Sequence, residues 1–167
     1  MRNPISIGLI AVALHACMPP NRKDTSVLNT NWDTYLGDPA RTHYSPLTQI
    51  TRDNVNQLEV AWSYNSGKLR GSRSTMFTSP LIVDGVLYGL SPRLVAFALD
   101  AATGEELWVF DPKSYELGPP LFSPLQTRGI EYWTDGEIER IFIATSGKQL
   151  VSVDIQTGQP DPNFGNN

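Results

Sequence analysis

The chain has one cysteine, two histidines and few charged side chains, and each scarcity narrows what it can do. A single cysteine excludes an intrachain disulfide. Charged residues make up 18% of the 167 positions and the net charge is −4, which argues against a nucleic-acid partner and against a basic membrane-binding surface. There is no glycine-rich phosphate loop and no nucleophile–base signature. His43 stands alone in a loop, and Asp33, Asp38 and Asp53 are dispersed. They read as packing, turn and cap residues and not as a metal cluster.

What the chain does have is turn chemistry. Thirteen glycines and thirteen prolines are scattered through a sequence that is 40% apolar, which suits a turn-rich, all-β globular domain. Residues 98–108 read A-x-D-x-x-T-G-x-x-x-W, and a weaker copy follows at Asp154-x-x-Thr157-Gly158, its aspartate 54 positions after Asp100. In each copy the aspartate can accept a hydrogen bond from the backbone two residues on, and the glycine can take the positive φ that closes the turn. Trp108 then offers a flat ring to a neighbour, whereas Pro162 stands at the matching place in the second copy. An all-strand unit that recurs on this scale predicts propeller blades.

The strand pattern agrees. Leu58 to Tyr64 alternates, and Pro80–Val83 with Val86–Tyr88 flank an Asp84-Gly85 pair suited to a two-residue primed turn. Further strands fall at Leu94–Leu99, Glu106–Phe110, Arg128–Trp133, Arg140–Thr145 and Leu150–Val153, and Thr51 can cap a helical turn over Arg52–Gln57. Ser66–Thr75 and the proline-rich stretch Asp111–Gln126 read as loops. The fold class is therefore all-β: a partial propeller of about two four-stranded blades plus an N-terminal strand of a third, over residues 31–167. Propellers close with roughly 4–8 blades, so this length does not close a ring.

The N-terminus reads as an export signal. A short positive start precedes an apolar run from Ile5 to Leu14, too short to span a bilayer, and Leu14-His15-Ala16-Cys17 resembles the bacterial lipobox. Residues 1–16 are then a lipoprotein signal peptide and 17–30 a tether, with Cys17 acylated and the chain held at a membrane on the periplasmic side. Met18 in place of an aspartate favours the outer membrane. The alternative is a plain secretory signal cut after Ala16.

Taken in order, these pieces resemble the quinoprotein dehydrogenases that bind pyrroloquinoline quinone (PQQ), particularly the membrane-associated glucose dehydrogenase branch. Trp32-x-x-Tyr35-x-Gly37-Asp38, Tyr44-Ser45-x-Leu47, Asn54-Val55 and Ala61-Trp62 are similar to the family's opening. Asp84-Gly85-Val86-Leu87-Tyr88 and Ala98 through Pro112 are similar to its first full blade, and Arg128-Gly129-x-x-Tyr132-Trp133 with Asp154-x-x-Thr157-Gly158 and Phe164-Gly165 to its second. The resemblance implies an eight-bladed propeller holding PQQ over Ca²⁺, oxidising a glucose-like sugar or an alcohol and passing electrons to a respiratory acceptor. It assigns cofactor contacts to Arg128 and Thr145; as residues alone, Arg128 serves equally as an ion-pair partner and Thr145 as a strand-end hydroxyl. The family's catalytic aspartate and calcium ligands lie in later blades, so no catalytic or metal-binding residue is assigned here.

Two departures stand out. Phe77 occupies the position where relatives carry Glu or Gln facing the quinone, and the vicinal cysteines of the alcohol-oxidising branch are absent. Two other readings remain at this stage: a non-enzymatic propeller lipoprotein, like the scaffold subunit of the outer-membrane barrel assembly machinery, and self-assembly of copies into a ring.

Overall fold

The structure is a computed structural model and describes residues 31–67, 76–113, 129–145 and 149–165. Among the described residues seven strands form two antiparallel sheets: β1 (Leu81–Val83), β2 (Val86–Leu90), β3 (Ala96–Asp100) and β4 (Glu106–Phe110) in one, β5 (Glu131–Thr134), β6 (Glu139–Ala144) and β7 (Leu150–Asp154) in the other. Each sheet is a simple meander, as short antiparallel connections require. Among the described residues, no helix is long and apolar enough to cross a membrane.

Local chemistry sets the turns. Asp84 and Gly85 both hold positive φ, 47° and 81°, the geometry of a primed turn whose twist matches the flanking strands. The helical turn after Thr51 is a 3₁₀ turn, Val55–Gln57, and Asn54 stands at its N-cap without a side-chain cap, so Thr51 does not cap it; the turn that leads in is held instead by Asn54 Oδ1 accepting the Thr51 N–H and Thr51 Oγ1 accepting the Asp53 N–H. The third strand begins two residues later than its apolar run. Ser91 Oγ accepts the amides of Arg93 and Val95, and Leu94 sits at φ 60°, which turns the chain before Ala96.

The two sheets pack face to face. Leu81, Val83, Tyr88, Leu90, Ala96 and Ala98 from the first meet Ile130, Ile141, Ile143, Val153 and Ile155 from the second in one buried cluster. Period-two alternation places Phe97 on the opposite face of β3, where the Tyr64 ring lies 4.9 Å away.

Two elements differ from the sequence pattern. Leu58–Tyr64 is not assigned as a strand, because a strand needs a ladder partner and none is present among the described residues; Val60 is 82% exposed. Among the described residues the second sheet has three strands, and beyond β7 the pairing continues as a single bridge, Val153 with Pro160, followed by the Asp161 amide to the Ser152 carbonyl. Pro160 and Pro162 lack the N–H that a longer ladder would use. The N-terminal segment, whose Gly, Pro, Asp and aromatic content over Trp32–Leu47 predicts an irregular entry segment, is tied to the first sheet. Trp32 bridges Ile82 on the free edge of β1 through a pair of backbone hydrogen bonds of 2.7 and 3.0 Å.

Candidate functional site

The repeat unit is reproduced almost atom for atom. Asp100 Oδ1 accepts the amides of Ala102 and Thr103 and the Thr103 hydroxyl at 3.0, 2.7 and 2.9 Å. Asp154 Oδ1 does the same with Gln156, Thr157 and the Thr157 hydroxyl at 3.2, 2.8 and 2.7 Å. These donors hold both carboxyls below the usual carboxylate value, the Thr103 amide contributing most at Asp100 and the Thr157 hydroxyl most at Asp154. Gly104 and Gly158 close the turns at φ 74° and 70°.

Each turn receives an indole from the preceding unit. Trp108 donates from Nε1 to the Ile155 carbonyl at 3.0 Å, across 47 residues, and its ring covers Gly158. Trp62 makes the same bond to the Ala101 carbonyl at 3.2 Å, across 39 residues, and covers Gly104. The role of Trp108 is expected from the sequence; the partner of Trp62 is not, because nothing local links it to Gly104. Tyr64, two residues on, donates to Glu106 at 2.6 Å, and burial with that carboxylate pushes its phenol up to about 12.

Thr145, to which the family resemblance gives a cofactor contact, directly follows β6 and is buried. Its Oγ1 accepts the Gln149 amide at 3.2 Å, and its own amide donates to the Gln149 carbonyl. Its hydroxyl can also donate one hydrogen bond. Arg128 lies outside the described residues, as do Cys17, the signal and tether segments, Arg70 and Arg73 of the 66–75 loop and most of the 111–126 loop. Gly129, the residue after Arg128, lines the same cavity as Ala144, the residue before Thr145. That cavity is about 310 Å³, within the range of small-molecule sites, and Tyr35, Arg41, Glu131 and Phe142 also line it.

The remaining residues singled out from the sequence have structural roles. Asp38 accepts the Thr42 amide and hydroxyl, and its carboxyl is lowered by those bonds. His43 lines a separate cavity with Trp32 and Pro80. Phe77 precedes β1 and is about half exposed, at 46%. Among the described residues no three His, Cys, Asp or Glu side chains converge on a possible metal position. A calcium ion would therefore need ligands from elsewhere.

Meandering sheets locked to one another by an indole laid over the next unit's turn glycine define an arc of β-propeller blades. Residues 32–167 match the family profile described as PQQ, "Glucose/ethanol/alcohol dehydrogenase, beta-propeller domain", and the chain belongs to that family. It is 36% identical over 129 residues, 77% of this chain and 18% of the relative, to 1-butanol dehydrogenase (cytochrome c) of Thauera butanivorans. It is 32% identical over 156 residues to quinoprotein glucose dehydrogenase of Gluconobacter oxydans, covering 83% of this chain and 19% of that one. The crystal structure of quinohemoprotein alcohol dehydrogenase from Comamonas testosteroni superposes with a TM-score of 0.66 at 31% identity, over 78% of this chain and 18% of that chain. The chain thus spans about a fifth or less of the length of the relatives it matches.

Proposed function

We propose that this chain is the N-terminal part of the propeller of a PQQ-dependent dehydrogenase that oxidises an alcohol or a glucose-like sugar and passes the electrons to a respiratory acceptor. The observation that carries the reading is the pair of indole locks in a chain whose residues 32–167 match the PQQ propeller family. PQQ, when bound, supplies the two-electron oxidant. This chain's part is to bind it on one flank. Arg128 offers a guanidinium whose forked donors match carboxylates, and Thr145 offers a hydroxyl from a buried position. Ca²⁺ belongs to the same reading, with its ligands and the catalytic base outside these residues.

Export and lipidation at Cys17, with a tether over 17–30 and an outer-membrane address on the periplasmic side, complete the proposal. The test is an equilibrium titration with PQQ of a full-length dehydrogenase carrying this segment. Arg128→Ala should weaken binding by roughly 10- to 150-fold, the effect of removing a charged hydrogen-bond donor. Unchanged affinity with the fold intact removes Arg128 from the site, and no PQQ binding by the parent protein leaves the scaffold reading instead. Turnover of butanol set against glucose then decides the substrate class.

A further inference from the structure

The N-terminal segment crosses from the first sheet to the second, and its conformation is tightly held. Leu36, Arg41 and His43 have positive φ values of 63°, 61° and 58°, a region that residues with a side chain occupy uncommonly. Trp32 fixes the near end through its bridge to Ile82, and its ring lies so close over Gly37 that an added Cβ would fall 2.6 Å from it. Arg41 fixes the far end. Its Nη1 donates to the Tyr35 carbonyl at 2.8 Å, and its guanidinium lies 4.9 Å from the centre of the Tyr35 ring. The ring in turn faces Gly129, where an added Cβ would stand 3.9 Å from Cδ2, an ordinary packing distance.

Gly129 is the end of the second sheet at which Thr145 is presented. The β5–β6 register pairs Glu131 with Phe142, and beyond that pair Gly129 and Ala144 line the same cavity, with Thr145 next along the chain. One side of this end is fixed by the buried Ile130 and Ile143. On the other side is the 310 Å³ cavity, and Tyr35 is the aromatic side chain that reaches Gly129 across it.

We propose that Tyr35, clamped by Arg41, is a positioning residue for the cofactor: it sets the Gly129–Ala144 end of the second blade and thereby the aim of the Thr145 hydroxyl. The proposal rests on the assignment of Thr145 to the quinone, and its test is built to separate the two. In a full-length dehydrogenase carrying this segment, PQQ affinity is measured by equilibrium titration for the parent, Tyr35→Leu, Tyr35→Phe, Thr145→Val and the Tyr35→Leu/Thr145→Val pair. Tyr35→Leu should weaken binding about fivefold, the scale of coupling between residues that share a partner. Tyr35→Phe keeps the ring over Gly129 and should bind as the parent does. In the Thr145→Val background Tyr35→Leu should have no further effect.

An equal loss in both backgrounds makes Tyr35 a general structural residue and overturns the proposal. So does an unchanged affinity in Tyr35→Leu. Thr145→Val binding like the parent removes Thr145 from the site, and the positioning role with it. Should Tyr35→Leu fail to fold, Arg41→Met frees the ring while leaving it in place, and the same dependence on Thr145 should appear at smaller amplitude.

Discussion

The indole of Trp108 lies across Gly158 so closely that a methyl group on that glycine would fall 2.6 Å from the ring. The glycine is also at φ 70°, so an alanine there meets a steric clash and an unfavourable backbone region together. The same geometry joins Trp62 to Gly104, with the added Cβ at 2.5 Å. Two contacts of one kind, one on each face of the first sheet, make the lock the element that transmits order from unit to unit.

Gly158→Ala should therefore destabilise the folded chain by about 1–3 kcal/mol, through strain and displacement of Trp108. Trp108→Ala should lose about 2–4 kcal/mol, since the ring packs on the common core and its N–H holds the Ile155 carbonyl. Urea unfolding of both single variants and of the pair checks this. The two substitutions disrupt one contact, so the double variant should fall well short of the sum. Full additivity would show that indole and glycine act independently.

The turns were legible in the sequence because they are local: Asp100 and Thr103, or Asp154 and Thr157, need no distant residue to make their hydrogen bonds. Trp62 was expected on a strand, which the structure does not show, and its meeting with Gly104 was not legible, since that depends on how two units stack. The bridge between Trp32 and Ile82 left no periodic trace either, being one pair long. Alternation over Leu58–Tyr64 reported side-chain facing correctly for Trp62 and Tyr64, yet a ladder also needs a neighbouring strand. At the candidate site, spacing alone gave Thr145 as a strand-end hydroxyl; only the family resemblance made it and Arg128 cofactor contacts. Tyr35 and Arg41 carried no signal of their contact, because a six-residue separation in an irregular segment has no periodicity to report it.

The lowered carboxyls of Asp100 and Asp154 make stability depend on acid pH. Both have folded-state values below the ordinary 3.8, so their contribution is present above that value and is lost as pH falls from it through the lower folded values. Unfolding free energy followed from about pH 6 to about pH 2 should drop on the acid side. Asn at both positions keeps an accepting oxygen without the charge. The Asp100→Asn/Asp154→Asn protein should then show a shallower acid limb, and a limb as steep as the parent's would assign the acid sensitivity to other carboxylates.

Lipidation at Cys17 is expected from the Leu14-His15-Ala16-Cys17 sequence after a short apolar run. Mass spectrometry of protein isolated from bacterial membranes should find the chain beginning at a diacylated or triacylated cysteine. Cys17→Ser should release the protein into the soluble periplasmic fraction. A mature chain starting at Cys17 with a free thiol supports the plain secretory signal, and an intact Met1 excludes both.

The tail after β7 is held by charge where the second copy of the repeat has no tryptophan. Arg140 on β6 pairs with Asp161 and lies within 3.4 Å of the Ser152 hydroxyl, and the Phe164 ring packs against Phe142 at 5.2 Å between ring centres, tilted by 50°. Both members of the ion pair are largely shielded, with side-chain exposures of 24% and 14%. Removing one partner leaves the other charge shielded without its counter-ion, which is more damaging than losing an exposed surface pair. Arg140→Met keeps the apolar stem and should lower stability by about 1–3 kcal/mol. The Arg140→Met/Asp161→Leu pair should recover much of that loss, because neither charge then remains. Hydrogen exchange offers the local measure: in Arg140→Met the Asp161 amide, bonded at 2.8 Å to the Ser152 carbonyl, should lose protection while β3 keeps its own. If the amide stays protected, the tail is held by the phenylalanine pair and the prolines alone.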